Sequence, residues 1–261
     1  MIDDYLVINF HEHPGDAVPA RMKQMGHDVA VLLSVGNDGM ARSIRMAQAS
    51  PSQFVPFYWV DHRSNLAEEP QRLRRAVEEW GVRGIKFQPM DQHWTADDRR
   101  LYPIYEVCQE LGLVCTWHTG IVNLGFKYEL GEPMLARYTT PLPIDQVAFD
   151  FPHLRLCIAH MGGNYHYEAL ILAEKHDHVY LDTAFLPFFC PRFLPSISPE
   201  QLILRAVRYA GAHKVLYGCE GLWPQTILQT DLDDADKRLI LGGNALRLLR
   251  LGAPESLGAS H

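Results

Sequence analysis

Short runs of β-branched and apolar residues recur along the chain: LVINF, VAVLLSV, FVPFYWV, GIKF, LVCTWH, LRLCIAH, HVYLD and KVLYG. They make about eight candidate strands. Between them lie stretches with helical spacing, such as Leu73, Val77 and Trp80, or Leu101, Ile104, Tyr105, Cys108 and Leu111. Gly81 and Gly112 stand where such helices should stop. Strands alternating with helices predict a parallel sheet covered on both faces, and about eight such units close into a single (β/α)8 TIM barrel. A doubly wound open sheet is the alternative, but no glycine-rich phosphate loop follows the first strand. The expected barrel spans residues 1–252, with residues 253–261 a frayed tail and Asn123–Pro143 a loop over the barrel mouth.

Composition narrows the function. The chain has 261 residues, 47% of them hydrophobic, enough for one large core. A formal charge of −7, with Lys and Arg scattered singly, provides no stripe to neutralise a phosphate backbone, so nucleic acid is not an expected partner. The N-terminus MIDDYLVINF lacks the cationic segment of a signal peptide, and no apolar run reaches the roughly 18 residues of a membrane span. The five cysteines are odd in number and form no Cys-x-x-Cys pair, which suits a reducing compartment; the expected location is cytoplasmic.

Thirteen histidines are the more informative count. His11 and His13 follow the first candidate strand, and a spacing of two on an extended chain turns both imidazoles to one side, where they can share a metal. His118 ends the fifth candidate strand, His160 ends the sixth and Glu220 follows the eighth. Alone, each could be a capping or core residue. In a barrel, however, all strand carboxyl ends converge on one mouth. Imidazoles and a carboxylate there suit a zinc ion with one position open to water, and His160 and Glu220 could handle protons.

NFHEHPG, GVRGIKFQP, LYPIYEVCQELGLVCTWHTG, FPHLRLCIAHMGG, HVYLDTA, AGAHKVLYGCEGLWP and LILGGNALRLL together resemble the second amidohydrolase family, which includes aminocarboxymuconate-semialdehyde decarboxylase. The resemblance implies one divalent metal, zinc first and manganese or another divalent ion otherwise, on His11, His13 and His118, with a carboxylate, Glu220, as a further ligand or proton acceptor. It also implies that His160 orients or deprotonates the metal's water, and it suggests a homodimer. This chain departs from the family in two places: Cys219 and Glu220 stand where Ser-Asp is usual, and Asn9 where Asp often precedes the paired histidines. Cys219 could intrude as a soft ligand.

Lys86 could offer a cation to a substrate oxyanion or form a structural charge pair. Tyr58, Trp59, Trp94 and Trp223 could line an apolar wall or pack in the core, and His93 could touch substrate. The expected partner is a small molecule. Hydrolysis of an ester, lactone or amide comes first on sequence, because the loops look short for the family's decarboxylases. Non-oxidative decarboxylation of an unsaturated or aromatic acid is the close alternative, and an inactive metal-binding or interaction protein the third.

Overall fold

The computed structural model describes residues 2–120 and 135–252. Eight parallel strands run in sequence order: β1 (Ile8–Glu12), β2 (Val29–Leu32), β3 (Phe54–Trp59), β4 (Gly84–Phe87), β5 (Val114–Trp117), β6 (Arg155–Ile158), β7 (Val179–Asp182) and β8 (Val215–Leu216). The Phe10 N–H donates to the Tyr217 carbonyl (2.8 Å), joining β1 to the chain leaving β8 and closing the ring. The chain is thus a (β/α)8 barrel. Helices Glu69–Trp80 and Tyr102–Leu111 end at Gly81 and Gly112, both with left-handed backbones. The expected frayed tail lies outside the described residues. So does most of the expected mouth loop, of which 135–143 is described and contains the short helix Ala136–Tyr138.

Alternation along the strands separates two apolar layers. Ile8, Phe10, Val31, Val55, Phe57, Val114, Cys157 and Leu216 form one cluster, drawn from six strands, that fills the barrel interior. Ala30, Leu32 and Phe54, one residue out of step, pack instead on Val18, Met22 and Ala47 of the covering helices. With Ile8 and Phe10 inside, strict alternation would turn His11 away from the interior. The register slips between Asn9 and Glu12, and such an irregularity re-aims side chains, here placing the His11 ring 4.8 Å from that of His160. The first strand therefore reaches two residues further than the LVINF run predicts and includes His11 itself.

His27, away from the mouth, is buried and pairs its Nε2 with the Tyr217 hydroxyl (3.1 Å), and burial lowers its pKa from 6.5 to about 4. The unfolded chain therefore takes up this proton near pH 6.5 and the folded chain only near pH 4, so His27 removes stability as pH falls through that window. The full effect is about 3 kcal/mol. His27→Gln, which keeps a donor for Tyr217, is expected to flatten the fall in urea midpoint between neutral and mildly acidic pH. An unchanged slope would place the acid sensitivity elsewhere.

Candidate metal centre

The strand ends deliver the site. His11 lies in β1 and His13 just beyond it; His118 and His160 follow β5 and β6, Asp182 closes β7, and Glu220 follows β8. His11, His118, His160, Asp182 and Lys86 are buried, whereas the side chains of His13 and Glu220 keep 44% and 22% of their exposure and so face the opening. Two groups of three donors form, His11–His13–Glu220 and His11–His160–Asp182, with the ligand atoms of each within 4.8 Å of one another.

Hydrogen bonds sort the nitrogen atoms. His11 Nδ1 donates to Asp182 Oδ2 (2.8 Å) and His13 Nδ1 to the Leu33 carbonyl (3.0 Å), which turns both Nε2 atoms toward Glu220. Glu220 Oε1 is 3.1 Å from His13 Nε2, and Oε2 is 3.7 Å from His11 Nε2 and 3.5 Å from His160 Nδ1. His160 Nδ1 donates to the Ala184 carbonyl (3.0 Å), leaving Nε2 to accept from His118 Nδ1 (3.3 Å). His118 Nε2 is then buried with no hydrogen-bond partner among the described residues. An orphaned imidazole nitrogen beside two anchored imidazoles and a carboxylate is the donor chemistry of a divalent cation site, so the residues fit such an ion. His118 itself belongs to neither three-donor group, and its contact with them runs through His160.

Electrostatics agree with this arrangement. Burial alone would raise the Glu220 pKa, but the electrostatic attraction of the His11 ring and the hydrogen bond from His13 outweigh it and hold the carboxyl well below its ordinary value. Burial would lower His13, but Glu220 outweighs it and raises it. Burial takes His160 down to about 4 and His118 well below 6.5, so both are neutral at pH 7. Lys86 Nζ lies 3.5 Å from His11 Nε2, and burial lowers its pKa against the pull of Asp182 and Glu220.

The backbone is strained at this mouth. Among the described residues, His93 (φ 56°), His160 (60°), Met161 (47°), Phe185 (61°) and Glu220 (35°) adopt positive φ without being glycine, all in segments leaving strands; Arg250 alone lies elsewhere. Bulky residues avoid that region unless the surroundings impose it, and such strain gathers at functional sites. Gly120 and Gly163 allow the β5 and β6 ends to meet, since a Cβ on Gly163 would lie 2.8 Å from the Gly120 Cα.

The remaining sequence candidates scatter. The Tyr58 hydroxyl donates to Glu69 (2.8 Å), and Tyr58 and Trp59 line a flanking cavity of about 400 Å³ with Arg72, Arg75 and Trp80. Trp94 is buried edge-on to Phe87, Trp223 is 44% exposed, and His93 stacks on Tyr138 at 5.5 Å. The aromatic rings beside His160 are instead Phe185 and Phe189, at 6.1 and 5.9 Å. Cys219 does not join the donors: its thiol lies 3.5 Å from Met25 Sδ, and burial raises its pKa. Asn9 has a use for its amide that an aspartate could not serve. Its Oδ1 accepts from the His11 and Cys219 N–H groups, while its Nδ2 donates to Glu12, a carboxylate also held by Arg21. Asp182 and the two phenylalanines went unnoticed in the sequence. Asp182 could have been found by the rule that found His160, a polar residue at a strand's carboxyl end.

A barrel with a histidine and carboxylate centre at its carboxyl mouth defines the class, and the family follows from the chain itself. The family model described as "Amidohydrolase" (Amidohydro_2) matches residues 2–251, and the chain belongs to that family. The 2-amino-3-carboxymuconate-6-semialdehyde decarboxylase of Dictyostelium discoideum is 25% identical over 212 residues, covering 69% of this chain and 57% of that protein. The chain thus spans a little over half the length of this relative. A 2,6-dihydroxybenzoate decarboxylase from Rhizobium superposes with TM-score 0.71 at 15% identity, over 95% of this chain and 99% of its own. A 5-carboxyvanillate decarboxylase from Novosphingobium aromaticivorans, complexed with manganese and 4-hydroxy-3-methoxy-5-nitrobenzoic acid, gives 0.69 at 15% identity over 91% and 80%. Among the described residues no helix is long and apolar enough to cross a membrane.

Proposed function

We propose that the protein is a metal-dependent, non-oxidative decarboxylase of a small aromatic or unsaturated carboxylic acid. The observation that carries this reading is the buried, neutral His118–His160 pair set against the His11–His13–Glu220 donors and a phenylalanine wall. The decarboxylases among its relatives support the reaction type, and the complex with manganese and a nitrobenzoic acid supports the cofactor and substrate class. His11, His13 and Glu220 would hold the cation, with the unpartnered His118 Nε2 as a further donor. When bound, a divalent cation polarises substrate oxygens and anchors them.

The chain's own residues supply the rest. Phe185 and Phe189 exclude water from one side, which disfavours the substrate carboxylate relative to neutral carbon dioxide. Lys86, with its Nζ 3.5 Å from His11 Nε2, is a cation placed to orient that carboxylate. Decarboxylation breaks one C–C bond and forms one C–H bond, with the electron pair staying on the ring or alkene carbon and a proton closing the balance. The substrate arrives ionised, so that proton comes from water: Glu220, held ionised, takes it from a water molecule and passes it to the carbon, and the hydroxide left behind combines with the carbon dioxide as bicarbonate. His160, fixed through Nδ1 on Ala184, steadies Glu220 from the inner side.

The test incubates manganese- or zinc-loaded protein separately with 2,6-dihydroxybenzoate, 5-carboxyvanillate and a panel of lactones, esters and anilides. Carbon dioxide release from an acid is the expected result. Turnover of a lactone, ester or amide with no carbon dioxide from any acid would instead establish hydrolysis, which the same donors can serve.

A further inference from the structure

We infer that Asp182 is the positioning residue of this centre, fixing through one carboxylate both the tautomer of His11 and the placement of His160. The inference rests on the reading of His11 as a cation ligand. Asp182 is fully buried at the end of β7. Its Oδ2 accepts from His11 Nδ1 at 2.8 Å, while its Oδ1 accepts from the His160 N–H at 2.8 Å and the Ala184 N–H at 3.1 Å. Three of its four acceptor positions are taken, so although Asp182 falls in a three-donor group with His11 and His160, its carboxylate serves to hold those two residues. The open nitrogen of His11 is Nε2, on the side of Glu220.

The same few residues hold His160 twice. Asp182 takes its backbone N–H, and the carbonyl of Ala184, itself tethered to Asp182, takes its Nδ1–H. His160 keeps a left-handed backbone (φ 60°), which an imidazole does not choose unaided, and this double hold is what imposes it. A carboxylate that accepts from Nδ1 leaves the proton there and the lone pair on Nε2, so Asp182 decides which face of His11 can meet a cation.

Asp182→Asn separates this role from a structural one. The two backbone donors require the amide oxygen to occupy the Oδ1 position, which turns the amide NH2 toward His11 Nδ1. His11 must then accept at Nδ1 and carry its proton on Nε2, the atom meant for the cation. The experiment measures nitrogen-15 histidine NMR spectra of metal-free parent and variant, zinc and manganese affinity by chelator competition, and thermal midpoints of the metal-free proteins. The expected result is a switch of His11 from the Nδ1–H to the Nε2–H form and metal affinity weakened ~10–100-fold. The metal-free midpoint should stay near the parent's, because the backbone bonds survive. An unswitched His11 in the variant, or metal affinity equal to that of a metal-binding parent, overturns the role of Asp182 alone. A parent that binds neither metal overturns the cation site and this role together.

Discussion

The double variant His11→Ala, His13→Ala is expected to keep the barrel and to lose both its divalent cation and its turnover. These residues supply two of the three atoms in the donor group that faces the opening, and Glu220 with His118 Nε2 makes only a weak site. Polarisation of substrate oxygens by a metal contributes several kcal/mol to the transition state, so turnover should fall ~10³-fold or more. The fold should survive for a stated reason. Removing His11 leaves Asp182 without its side-chain donor, at about 1–3 kcal/mol. The carboxylate nevertheless keeps the His160 and Ala184 N–H groups and the nearby charge of Lys86. Elemental mass spectrometry of the metal-loaded proteins, circular dichroism and steady-state rates together check this. Undiminished metal content in a folded double variant would move the cation to other residues.

The barrel was legible because its evidence is repetitive. Eight apolar runs separated by helical spacing leave few architectures, and Gly81 and Gly112 stop their helices as the sequence predicts. The candidate histidines were legible for a geometric reason, since a parallel barrel sends every strand's carboxyl end to one mouth. Which face each aromatic takes was not. In a sheet buried on both sides, period-two alternation does not say which set points inward, and Tyr58, out of step with the interior Val55 and Phe57, turns out to line a cavity on the barrel's flank. The slip that aims His11 inward depends on pairing with β2, which no local pattern in NFHEHPG announces. Phe185 stands in a conformation that its own propensity opposes, directly after Ala184, whose N–H is tied to Asp182. Where side chains answer to long-range contacts rather than to spacing, only the folded chain reveals them.

Glu220 in place of the family's aspartate yields the other large effect. Its carboxylate lies 3.1, 3.5 and 3.7 Å from nitrogens of His13, His160 and His11, a reach that uses the full side chain from a strained turn at φ 35°. Aspartate there would fall short by about one C–C bond, ~1.5 Å, so Glu220→Asp should not restore a family-like centre but lose contact with the histidines. Glu220→Gln keeps the shape and removes the charge, and the loss of its proton-handling role is expected to reduce turnover ~10²–10⁴-fold. A second readout needs no substrate. Burial pulls the His13 pKa down, but the hydrogen bond and charge of Glu220 outweigh it and raise it; without that charge burial prevails. In metal-free Glu220→Gln the His13 titration should therefore shift to lower pH than in the parent. Below its titration point in the parent, His13 holds a proton where a cation would bind, so metal affinity should weaken as pH falls through that point. If the His13 titration and the turnover both stay unchanged in Glu220→Gln, the carboxylate stands apart from the chemistry, and the proton must be handled by the histidines alone.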